Sequence, residues 1–287
     1  MPVKVNHYMA GFFKKRELLN KIPQPRIILI GDSNVGFGFN SKELMDSLGM
    51  NVVNLGLQGG LGIRFIVNTA FPFCKSGDIV VFSIGYDHFF NHQDCGRELA
   101  TLVNMEPELI AYLGDDELKG MMYNIPASLR LKVIGGLTAL IIGEEKYASA
   151  SVYRSDAFNE YGDVVKHWGA PNKDYYQLRN ICKEWDEENF CFLIEQLKEL
   201  ERRSVKVILC PANIARTSYK NNDSGILLLN ERLNQCGYGF IVHPAEMALD
   251  DRLFYDTPYH LTKEGVKQKD SVFIAAMKRH NVINNDF

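Results

Sequence analysis

The sequence has no long basic run, no close pair of cysteines and no unbroken apolar stretch long enough to cross a bilayer. Each absence removes a class of function. Lysine and arginine total 32 against 35 aspartate and glutamate, a formal net charge of -3, so the positive footprint that grips a phosphodiester backbone is missing and nucleic acid is not an expected partner. The six cysteines, Cys74, Cys95, Cys182, Cys191, Cys210 and Cys236, lack the spacing of a zinc or redox motif, so neither a metal nor another cofactor is expected. Cys210 lies inside an apolar run, where a thiol is usually a small core residue, and the cysteines leave the redox compartment open.

A membrane span needs roughly 18 apolar residues. The most apolar segment, Leu129 to Ile142, is shorter and carries Arg130 and Lys132; it reads as a buried or partly interfacial helix. Met1 to Asn20 is too polar for the core of a signal peptide. The residues given therefore read as a soluble chain, with the localisation unknown and membrane or cell-envelope association open through an upstream anchor. Nucleotide motifs are incomplete: Phe37 follows Gly36 where a P-loop needs lysine, and Ser41 stands where a dinucleotide fingerprint needs its last glycine.

What is present is ordinary globular material, 46% hydrophobic and 23% charged over 287 residues, enough for one elaborated domain spanning 1–287. Arg26 to Ile30 is short, β-branched and apolar, as in a strand buried on both faces. Ser41 can cap a helix running to Leu48, with Gly49 at its C-terminal end. Strands follow at Asn51 to Leu55 and Ile79 to Ile84, around an amphipathic segment at Ile63 to Phe71. The alternation resumes with a helix at Phe190 to Arg202, a strand at Val205 to Cys210, a helix at Ile226 to Gln235, a strand at Phe240 to Val242 and a helix at Lys263 to Arg279. Alternating strands and helices of these lengths predict a three-layer, doubly wound α/β fold with a five-stranded parallel sheet of flavodoxin-like topology. Residues 88–188 read as a helical insertion capping the site.

Ligands of open α/β sheets bind beyond the carboxyl ends of the strands. That rule gathers Gly31-Asp32-Ser33-Asn34, Gly56 to Gly60, Gly85-Tyr86-Asp87, Pro211-Ala212-Asn213 and Asp256 to His260 at one edge. A serine nucleophile needs a base, the base an orienting acceptor, and the oxyanion preplaced donors; these segments hold a candidate for each.

Gly31-Asp32-Ser33 directly after the first strand, Asn54-Leu55-Gly56-Leu57-Gln58-Gly59 after the second, and Asp256-Thr257-Pro258-Tyr259-His260 before the last helix together resemble the SGNH, or GDSL-type, hydrolase superfamily, closest to bacterial cell-envelope members acting on acyl groups of polysaccharides. The resemblance covers Arg26 to Ser83 and Phe240 to Arg279. It implies Ser33 as nucleophile, His260 as general base and Asp256 as its acid, with the backbone N–H groups of Ser33 and Gly59 as oxyanion donors.

Two positions depart from the pattern. The acid lies four residues before the histidine instead of three, and Asp87 stands where the family places a side-chain amide. An ionised carboxylate only accepts, so either Asp87 is protonated, or Asn34 or Asn213 supplies the amide, or the hole is incomplete.

Outside the motifs, Tyr153-Arg154-Ser155-Asp156 and Asn159 to Asp163 mix aromatic and charged groups, as a sugar-contacting lid or, more commonly, a solvated turn-rich surface would. Arg154, Tyr86, Asn213, His167 and Trp168 are candidate substrate contacts, whereas His243 reads as structural. The expected activity is hydrolysis of a short acyl ester on a carbohydrate. Acyl transfer from the same site and non-catalytic polysaccharide binding are the alternatives, and the oligomeric state is not legible.

Overall fold

The computed structural model describes residues 7–90, 96–124 and 152–283. The elements run α1 (Gly11–Lys21), β1 (Arg26–Gly31), α2 (Ser33–Gly36), α3 (Ser41–Leu48), β2 (Asn51–Asn54), α4 (Ile63–Ala70), β3 (Ile79–Ser83), α5 (Arg97–Met105), α6 (Glu187–Arg202), β4 (Lys206–Leu209), β5 (Ile214–Ala215), α7 (Arg216–Lys220), α8 (Asp223–Gln235), β6 (Ala248–Leu249) and α9 (Lys263–Arg279). Residues 115–124 are also helical. The apolar segment Leu129 to Ile142 lies outside the described residues.

The core is an α/β arrangement around a parallel sheet of four strands in the order β2-β1-β3-β4. Ile27, Ile28, Leu29 and Ile30 of β1 are all fully buried, each removed from water at a gain of roughly 1.5–3 kcal/mol. The period-2 alternation of a strand sends them to opposite faces. Ile28 and Ile30 join Val80 and Phe82 against Leu19 of α1, Phe65 of α4, Leu197 of α6 and Leu229 of α8. Ile27 and Leu29 join Val81 against Leu44 of α3 and Phe273 of α9. Helices thus cover both faces.

The segment expected as a further strand at Phe240 to Val242 forms a single parallel bridge, Leu209 to Phe240, with Ile241 N–H donating to Leu209 O at 2.8 Å. The ladder stops for a local reason: Pro244 has no N–H to give, and the His243 N–H is taken by Glu246 in a capping box. A separate pair, β5 with β6, is also parallel.

Two local readings shift. The cap of α3 is Asn40, whose side chain accepts from Glu43 N–H; the Ser41 hydroxyl instead donates to Asp163 at 2.6 Å. Gly49 closes the helix at φ 69°, the left-handed conformation glycine adopts without penalty. The second shift concerns residues 152–186, which precede α6 and are irregular instead of helical. They are held by buried polar contacts. Asp163, fully buried, accepts from Ser41 N at 2.9 Å, Asn54 Nδ2 at 2.8 Å and Asn159 Nδ2 at 2.9 Å, while Val164 N donates to Gly36 O at 2.8 Å. No helix of the described residues is long and apolar enough to cross a membrane.

Candidate active site

Strand order reverses around β1, and the carboxyl ends of strands at such a point are where open α/β sheets bind ligands. Asp32 ties the two segments together. As N-cap of α2 its carboxylate accepts from Asn34 N at 2.8 Å, and its other oxygen accepts from Gly85 N at 2.8 Å, with His88 Nε2 lying 3.3 Å away. Burial opposes ionisation of Asp32, but His88 and the two backbone donors outweigh it and hold the carboxyl below its usual range. The same pairing carries the buried His88 above the usual histidine value against its own desolvation.

Ser33 is the first residue of α2 and is half-buried. Among the described residues neither its N–H nor its hydroxyl is in a hydrogen bond, and the N–H of the half-buried Gly59 is likewise unspent. One helical turn after Ser33, Phe37 donates its N–H to Ser33 O at 2.9 Å. The ring of Phe37 stacks on that of His260 at 3.9 Å and 9°. Residues four apart share a helix face, so α2 presents Ser33 and the platform under His260 on the same side.

His260 is buried at the end of a closed loop. Phe254 and Leu261 form an antiparallel bridge, Tyr255 N donates to His260 O at 2.8 Å, and His260 N donates to Thr257 O at 3.3 Å. This turn absorbs the one extra residue in the spacing of acid and histidine: Asp256 Oδ1 lies 2.8 Å from His260 Nδ1. Because an ionised carboxylate only accepts, Nδ1 carries the proton and Nε2 is the basic nitrogen. Burial raises the Asp256 carboxyl, but His260 and the Tyr153 hydroxyl more than compensate and it stays below the ordinary range. Among the described residues no hydrogen bond joins Ser33 Oγ to His260 Nε2.

The other candidates lie as follows. Asn34 is fully buried; its Nδ2 donates to Asp32 Oδ1 at 2.5 Å and Ser83 O at 3.3 Å, and its Oδ1 accepts from Ser83 Oγ at 3.1 Å. Both amide hydrogens are used inside the protein. Asn213 is also fully buried, donating to Tyr259 O at 2.6 Å and accepting from Lys269 Nζ at 2.7 Å, so it anchors the His260 loop and does not face a ligand. Tyr86 is a core residue whose hydroxyl donates to Ala212 O at 3.1 Å. Asp87 is half-buried and accepts weakly from the Tyr259 hydroxyl at 3.4 Å.

In the insertion, Arg154 pairs with Asp156 at 3.0 Å. Trp168 packs against the cluster of Leu249, Phe254 and Leu261 behind the His260 loop. His167 is buried on the face of Phe37, with Nε2 2.7 Å from Leu261 O. His243 is the exposed cap described above.

No family model matches the chain, and no significant match is found among curated proteins.

Three residues at the site were not singled out from sequence. Phe37 is signalled only by its spacing from Ser33. Tyr8 precedes the first recognisable strand, yet its hydroxyl donates to Leu57 O at 2.9 Å in the glycine-rich loop. Tyr153 was visible only as part of a mixed polar stretch, and it reaches both Asp256 and His260.

Proposed function

We propose that the chain is a serine esterase of SGNH type, on a doubly wound, flavodoxin-like scaffold, that removes a short, O-acetyl-like group from a carbohydrate ester. The observation that carries this reading is the Asp256–His260 pair at 2.8 Å, stacked on Phe37, one helical turn beyond Ser33. The bridge between Leu209 and Phe240 supports a shortened fifth strand at the sheet edge.

In this reading Ser33 Oγ attacks the carbonyl carbon while its proton passes to His260 Nε2. Asp256 holds the tautomer and stabilises the imidazolium. In this reading the negative oxygen is received by the N–H groups of Ser33 and Gly59, which make no other hydrogen bond among the described residues. Collapse breaks the bond to the alcohol oxygen, which takes the proton from His260. Water, deprotonated by His260, then attacks the acyl-serine and releases the acid and free Ser33. A sugar hydroxyl in place of that water gives acyl transfer by the same steps. Asp87, a carboxylate where an amide donor is expected, favours a second reading, a binding module of the cell envelope with a degenerate oxyanion hole.

Turnover of a 4-nitrophenyl acetate-type ester, with Ser33→Ala alongside, tests the proposal. The expected result is loss of at least about a thousandfold in kcat for Ser33→Ala and His260→Ala, with fluorophosphonate labelling at Ser33. Turnover unaffected by Ser33→Ala would remove the nucleophile; absence of labelling together with saturable glycan binding would establish the binding module.

A further inference from the structure

The acid of the pair has a second partner. Tyr153, on the segment that returns from the insertion, donates its hydroxyl to Asp256 Oδ2 at 2.7 Å, and that Tyr153 hydroxyl oxygen lies 3.2 Å from His260 Nδ1. Three groups and two protons satisfy this triangle in one way. The phenol proton points to Oδ2, and the Nδ1 proton points to Oδ1 with the phenol oxygen as a weaker second acceptor. Each carboxylate oxygen then has one donor, and the imidazole has one tautomer.

We infer that Tyr153 is a positioning residue, which clamps the Asp256 carboxylate so that His260 keeps Nε2 bare toward Ser33; this rests on the hydrolase reading only for its catalytic consequence. The clamp is built into the packing. The Tyr153 ring stands edge-on to Tyr8 at 5.6 Å and 5.9 Å from Phe37, and the backbone of its neighbour Arg154 bridges to His7. Tyr153 is therefore located by the N-terminal segment, by α2 and by the insertion at once. Tyr153 is 36% exposed with its hydroxyl on Asp256; desolvation of that hydroxyl and then the Asp256 charge hold the phenol above its ordinary value, so it remains a donor.

The triangle assigns the insertion a chemical task, since the acid and base come from the loop before α9 and the clamp from residue 153. Other ionisable groups within electrostatic reach of Asp256 are Lys173, which favours its anion, and Tyr8 and His167, whose own titration senses its charge; Tyr255 is within such reach of Tyr153. Among the described residues the hydrogen bond to Oδ2 comes from Tyr153.

The test is Tyr153→Phe in the full chain, which keeps the ring and removes the hydroxyl. Carbon-13 NMR of the Asp256 carboxyl should show its titration midpoint raised by about one pH unit, the size of a lost hydrogen bond to a charged group. Tyr175→Phe, whose hydroxyl donates to Asp251 O, should leave that midpoint in place. In ester turnover Tyr153→Phe should lower kcat about tenfold with KM unchanged, and the loss should vanish in an Asp256→Asn background, as coupled residues require. An unmoved Asp256 midpoint in a folded Tyr153→Phe protein overturns the inference, whatever the activity. A shifted midpoint in a protein without Ser33-dependent turnover supports the clamp and rejects the hydrolase reading.

Discussion

Single residues decide the electrostatics around the site. Lys15 of α1 is buried, with Nζ donating to Asn54 O at 3.0 Å and to Gly162 O. Desolvation pulls its pKa down to about 7. Lys269, buried beneath the Asn213 anchor, is lowered by desolvation to about 8. For a lysine whose folded pKa lies below its unfolded value, the unfolded chain binds more protons between the two, so stability rises with pH across that interval. Urea melts between pH 7 and 8.5 should show this rise, and Lys15→Met should remove a slope approaching about 1.4 kcal/mol per pH unit; an identical slope in both proteins would refute the assignment. Asp256 has the same sense in a lower pH range, stability again rising with pH between its folded and unfolded values. Its carboxyl is lowered on folding, so its contribution is present above the unfolded value and is lost as pH falls through the folded one.

At the scale of elements, the sheet and the insertion are joined by close backbone approach and by one buried carboxylate. Gly31 ends β1 where an added Cβ would sit 1.7 Å from Ser83 O. Gly31→Ala should therefore push β1 from β3 just below Ser33, with loss of turnover and of stability together, read by the ester assay and by thermal melts. Asp163→Ala would strand the donors of Ser41, Asn54 and Asn159 inside the protein. Such uncompensated groups cost about 1–3 kcal/mol each, so denaturant melts should show a loss of several kcal/mol; a loss below about 1 kcal/mol would mean that this segment is not anchored there. The sequence marked β1 to β4, α3, α4, α6, α8 and α9 through periodicity, β-branched runs and glycine stops. It did not mark α1, whose Phe12, Phe13, Leu18 and Leu19 become a helix face only against the sheet, nor the irregular path of 152–186, which follows buried polar contacts with no sequence period.

At the scale of the whole molecule, the two edges of the sheet divide the work. The carboxyl edge gathers the polar site, while the opposite edge is clamped by Arg26 and Asp78, both buried, at 3.0 Å. The guanidinium also donates to Phe73 O at 3.1 Å and to Leu19 O, joining β1 to the ends of α1 and α4. Removing one partner of such a pair leaves a bare buried charge, typically at a cost of 3–5 kcal/mol. Asp78→Ala should lose stability on that scale while the Asp256 midpoint stays fixed, and Arg26→Met with Asp78→Leu should recover part of the loss; equal damage from the single and double changes would rule out the charge as the cause.

The sequence by itself determined the strand-helix alternation, because burial on both faces dictates short apolar runs and the helix stops are local chemistry. It also determined that Ser33 and Gly59 follow strands and that Asp256 and His260 precede the last helix. Tertiary structure decided the rest. Asn34 and Asn213 read equally well as oxyanion amides until packing showed both amide hydrogens of Asn34 in use and Asn213 fully buried with its amide on Tyr259 O, and the Asp256 spacing read as a misfit until the loop closed through Thr257 and the Phe254–Leu261 bridge. Tyr153 and Tyr8 lie far from the motifs in the chain, and no local pattern encodes a contact between residues 153 and 256. Side-chain orientation and hydrogen-bond partnership at such separations depend on how helices and loops pack over the sheet, which periodicity and capping signals do not specify.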